Sequence, residues 1–171
     1  MKRFLSSVLG LFLLVAVARA AGPSPSASTG DTKLDAFLQK MNTAAKVDPD
    51  GFFKDLSARH GIPEADIRQV QETQGLTGGD LFMATALAKA THRPVLAVAE
   101  DYRKNEGKGW GVMAKEMGIK PGSPAFHELK NGARGSVDHM DKMAKEKHKH
   151  EKQMKKESQG KGGGKGKGKE K

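Results

Sequence analysis

The chain has 171 residues, 30 Lys+Arg against 20 Asp+Glu, a formal charge of +10 and no cysteine. The missing cysteine excludes disulfides, thiolate metal sites and thiol nucleophiles, and the length suits one small domain rather than two independent cores. The charge is uneven: residues 31–134 hold 15 basic and 14 acidic side chains, whereas residues 135–171 hold 12 and 6, net +6, so an anionic partner would be recognised by the tail.

Residues 1–20 open with Met1-Lys2-Arg3, continue through an apolar run from Phe4 to Ala18, and close on Ala18-Arg19-Ala20. A short basic start, an apolar stretch and small residues at −3 and −1 form the pattern that a signal peptidase reads. The run is shorter than the roughly 20 residues a membrane-crossing helix needs. The expectation is export by a cleavable signal peptide, with a periplasmic or extracellular protein as the product and no chromosomal DNA as partner. Residues 21–30 (AGPSPSASTG) lack any large apolar side chain and read as a flexible spacer.

A helical pattern follows. Leu34, Phe37, Leu38, Met41 and Ala45 fall three or four apart behind an N-cap at Asp31 or Thr32. Asp48-Pro49-Asp50-Gly51 reads as a turn. Phe52, Phe53 and Leu56 lead to Gly61-Ile62, a glycine suited to a left-handed helix end. Pro63 opens a helix whose buried side is Ile67 and Val70, ending at Gly75. Thr77 and Asp80 make a capping-box pair before Leu81 to Ala90, which is apolar nearly all round and therefore the expected central buried helix. His92-Arg93-Pro94 breaks it. Val95, Leu96, Val98, Ala99 and Tyr102 form the next helix, and Gly109 to Ile119 a further short one. Ser123 and Pro124 start a last small turn anchored by Phe126 and Leu129 before Gly132.

The fold class expected is all-α: a small bundle or a short helical-repeat array of six to seven short helices over residues 31–134, with a disordered basic C-terminal tail from 135 to 171. The repeat option comes from helix breaks about thirty residues apart, at Gly61-Ile62-Pro63, His92-Arg93-Pro94 and Gly118 to Pro121. In the tail, residues 136–158 could form a solvated helix, with no apolar face wide enough to bury. Residues 159–171 are a low-complexity Gly/Lys run, read as disordered.

Little of the chain carries chemistry. The corner at Ser57, Gly61 and Ile67 has the residue types of a DNA-reading helix-turn-helix, but any tight corner needs them, and its second helix is acidic where a phosphate backbone would need cations. No G-x-S-x-G, H-E-x-x-H or EF-hand loop is present, so an enzyme is not expected and no cofactor is implied. His60, His92 and His127 sit at helix ends. Trp110, between glycines, reads as a core plug; the alternative is a ligand groove shared with Tyr102. One cluster has ligand chemistry: His139, Met143, His148, His150 and Met154. Its His139/Met143 and His150/Met154 pairs are spaced i,i+4, and imidazole with thioether suits copper, imidazole alone nickel or zinc.

The segment Gly107-Lys108-Gly109-Trp110-Gly111-Val112-Met113-Ala114 through Gly118-Ile119, downstream of Ala86-Leu87-Ala88-Lys89-Ala90-Thr91-His92-Arg93-Pro94-Val95, resembles a family of small exported bacterial helical proteins with a GKGWGxxAxxxGI motif. The resemblance covers residues 52–129. It implies a helical exported domain of bacterial type and carries over no catalytic or binding residues. Met113 stands where the pattern has an aliphatic residue. Together these readings lead to an exported, non-enzymatic binding or structural module of open oligomeric state. Its Lys-rich tail would meet anionic envelope polymers or a lipid surface, and the alternative is a periplasmic copper- or nickel-binding protein using the His/Met-rich tail.

Overall fold

The computed structural model describes residues 28–105 and 107–160, with side chains through Glu157. The predicted signal peptide, most of the predicted spacer and residues 161–171 lie outside the described residues.

Among the described residues there are seven α-helices and no strand: α1 (Thr32–Val47), α2 (Pro49–His60), α3 (Glu64–Gln74), α4 (Gly78–Thr91), α5 (Val95–Lys104), α6 (Gly109–Glu116) and α7 (Pro124–Gly160). The helix ends follow local chemistry. Asp31 caps α1, its carboxylate accepting from the N–H groups of Lys33 and Leu34. Asp48 to Gly51 is more than a turn: Asp48 is the N-cap of α2 and Pro49 its first residue, where a missing N–H does no harm. Gly61 and Gly75 end α2 and α3 in the left-handed conformation that glycine tolerates.

α4 is the axis of the molecule. Gly78 through Ala88 are all buried, and α1, α2, α3, α5 and α7 pack around it. Because α1, the first described helix, lies against both α4 and the final helix α7, the core closes on itself. Units of a solenoid touch only their neighbours, so of the two expected architectures the described residues form the bundle.

Two boundaries differ from expectation. The end of the spacer belongs to the body: Thr29 is buried, and its N–H and hydroxyl both donate to Asp35 at 2.8 and 2.7 Å. Here the chain runs directly over α6, where the Gly111 N–H donates to the Ser28 carbonyl. A Cβ on Gly111 would sit 2.2 Å from the Thr29 carbonyl oxygen, which accounts for the glycine after Trp110.

The second difference is larger. Instead of ending before Gly132, α7 runs for 37 residues straight through the expected domain boundary at 134/135. Leu129, Ala133, Ser136 and Val137 are buried, and Met140 packs against the core. Gly132 and Gly135 are not breakers here. They lie within the packed part of the helix, beside Phe82 and the Arg59 guanidinium. Helix packing outweighs the roughly 1 kcal/mol by which an interior glycine disfavours helix. The expected apolar-face deficit therefore holds only beyond Met140: residues 141–157 are exposed throughout.

Candidate functional site

Trp110 lies in the core, as its small neighbours suggested, and the alternative of a ligand groove shared with Tyr102 has no opening. Trp110 is wholly buried and Tyr102 is 5 % exposed; their rings stack at 4.0 Å with an interplanar angle of 8°. The indole N–H donates to Asp80 at 2.8 Å, and the void beside it measures about 10 Å³, room for one water molecule at most. The pair is a core plug. Asp80, also fully buried, joins it to the start of α4: one carboxylate oxygen takes the indole, and the other accepts from the Thr77 N–H and hydroxyl. The capping box was legible from Thr77 and Asp80, whereas the indole 30 residues away was not.

The tail cluster is also arranged differently from expectation. His139 is tied to the body by its Nδ1, 2.9 Å from an Asp55 oxygen. Asp55 is 7 % exposed; it also accepts from Ser136 Oγ at 2.7 Å and pairs with Arg59 at 3.2 Å. This four-residue latch fastens α7 to α2. His139/Met143 and His150/Met154 share a side of the helix but stand about 16 Å apart along it, and His148 lies at the edge between the groove beside α2 and the lysine trough. The five residues do not converge, and among the described residues no group of three His, Asp or Glu side chains is placed to hold a metal ion.

Beyond the latch, α7 leaves the body and makes two surfaces. Toward α2 it walls a groove of about 610 Å³ with Val47, Phe52, Ala58, Met140, Met143 and Ala144 among its lining residues. Val47 and Met143 are two of the few large apolar side chains left exposed. Lys147, 3.9 Å from Asp48, marks the last ion pair between helix and body. The other surface is a shallow trough lined by Lys145, His148, Lys149, Lys152, Gln153 and Lys156. Spacing of three and four residues places Lys142 on the same side. Sequence reading located the positive charge in this region but not its sorting onto one face, because the region's helical state was left open.

His60 has a separate character. It closes α2, packs edge-on against Phe82 at 5.3 Å, and its Nε2 is buried without a hydrogen-bond partner. Burial, reinforced by the charges of Lys89 and Arg59 and opposed by Asp55, pulls its pKa down to about 4. It is a neutral core residue at the end of α2.

The chain matches no protein-family profile, no curated protein and no solved structure. Among the described residues no helix is long and apolar enough to cross a membrane.

Proposed function

We propose that the protein is an exported, non-enzymatic binding module, held to anionic envelope polymers by its basic C-terminal part. One observation carries this reading: the body closes its core around α4, while residues 141–157 continue as a helix with every residue exposed, carrying seven lysines and four acids. A surface of that kind attracts polyanions at long range, with an attraction screened over about 8 Å at physiological salt. In the body, the buried carboxylates Asp80 and Asp55 are engaged in fastening helices together.

The test is fractionation of the host cells followed by intact-mass measurement. The expected result is a chain cleaved after Ala20, associated with the envelope and released by about 0.5 M salt, well above physiological screening. An unprocessed chain in the cell interior, or retention indifferent to salt, would overturn the reading.

A further inference from the structure

We propose that the face of α7 carrying Lys142, Lys145, Lys149, Lys152 and Lys156 is a docking track for a linear acidic polysaccharide, whose carboxylates it meets in register along the helix. This rests on the reading that the basic C-terminal part holds an anionic polymer, and it names the face and the polymer class.

The five lysines recur at intervals of three, four, three and four residues, the spacing that keeps side chains on one side of a helix. At 1.5 Å rise per residue they form a row about 21 Å long with a cation roughly every 5 Å, the scale of one sugar ring in an extended glycan. All five are exposed. Among the described residues no carboxylate lies within ion-pair distance of any of them, whereas Lys147 and Lys130, on the body-facing side, are paired with Asp48 and Asp31. Of the four acids of the exposed stretch, Glu151 falls on the opposite side and Glu157 off the row, while Asp141 and Glu146 flank it as i,i+4 neighbours of Lys145 and Lys142 without closing an ion pair. The lysines are thus sorted: five of the seven in residues 141–157 share one side of the helix.

Two further features decide between polyanions. A helix that settles into a lipid surface presents an apolar face beside its basic belt. Here Met140, Met143 and Ala144 are turned into the groove against α2, and the lysine trough is completed only by His148 and Gln153. The lysine trough itself presents no apolar side chain, and exposed Met154, on another side of the helix by spacing, is a single methionine rather than an apolar face. Nucleic acids are held by arginine forks on phosphate and by aromatic rings under bases. Residues 135–171 contain no arginine and no Phe, Trp or Tyr. A row of lysine point charges on a straight, aromatic-free helix suits a regularly carboxylated chain that needs neither forks nor stacking.

The experiment measures binding of the protein, purified in the form its host produces, to polygalacturonate. Dextran serves as neutral control, with oligo-dT and phosphatidylglycerol vesicles as competing classes. Two variants of identical net charge are compared: Lys145→Gln, Lys149→Gln and Lys152→Gln together, and Lys161→Gln, Lys165→Gln and Lys167→Gln together. Circular dichroism confirms that both keep the helical content of the parent. The row variant should lose roughly tenfold or more in affinity for polygalacturonate with a shallower salt dependence, and the terminal variant less than about threefold. Equal losses would show that only net charge matters, overturning the track while leaving the broader reading in place. Tighter binding to oligo-dT or vesicles than to polygalacturonate would overturn the choice of polymer. Failure of the parent to bind any polyanion would overturn both readings.

Discussion

The body and the projecting half of α7 use the same residue types to opposite ends. Met41 on α1 and Met83 on α4 are buried in the core, while Met154 stands 59 % exposed on the arm. Lys130 closes an ion pair with Asp31 at 2.6 Å, and that contact, with the Leu34 N–H, holds the Asp31 carboxyl below its usual range. Lys149 and Lys152 face open solvent. What separates the two regions is whether a second helix lies alongside. Where α1, α2 and α4 flank α7, its glycines, its serine and its histidine become packing and latching positions. Where they stop flanking it, the same helix becomes a carrier of charge.

The contrast can be broken most severely at Trp110. Trp110→Ala removes a fully buried ring, its stack on Tyr102 and the donor to Asp80, and should destabilise the protein by about 4 kcal/mol in a denaturant titration. A loss under about 1 kcal/mol would mean that the plug is not part of the core.

Acid is the next largest perturbation. Because the folded pKa of His60 lies near 4, below the ordinary 6.5, the unfolded chain binds the extra proton first as pH falls. The stabilisation is complete above about pH 6.5 and is lost as pH drops toward 4, amounting to roughly 3 kcal/mol over that window. Stability measured against pH should decline there in the parent and flatten in His60→Leu; identical slopes would contradict the assignment.

Asp55→Ala tests the junction between the two regions. It leaves the Ser136 hydroxyl buried without its acceptor and frees Arg59 and His139, an expected loss of about 2 kcal/mol. Amide exchange should accelerate around residues 136–147 while α4 remains protected. Uniform acceleration would show that the latch supports the whole core rather than the attachment of α7.

The smallest effect belongs to the arm: Met154→Ala should change stability by no more than about 0.5 kcal/mol. A larger loss would mean that this methionine has a packing partner, and the arm would no longer count as solvated.

Much of this organisation was legible in the sequence. Caps at Asp31 and Thr77, glycine ends at Gly61 and Gly75, and the all-apolar run of α4 rest on interactions within a few residues, which sequence displays directly. The reach of α7 was not legible, because Gly132 and Gly135 carry the local signature of a helix end and their packing partners, Phe82 and Arg59, are distant in the chain. The period that continues through them, from Leu129 to Ala133, Val137 and Met140, was the available signal. Likewise Ser136 and His139 look like solvent-facing residues until Asp55, more than eighty positions earlier, is folded against them. Trp110 displayed its small neighbours but not the carboxylate that holds its indole. At the candidate site, composition announced the positive charge, and only a helical backbone arranges it into a row.

The most direct test of the division between body and arm is amide hydrogen exchange of the intact protein with and without polygalacturonate at low salt. Added polymer should slow exchange across residues 141–157 and leave α4 unchanged. Slowing confined to α2 or α4, with no change along the arm, would contradict the account.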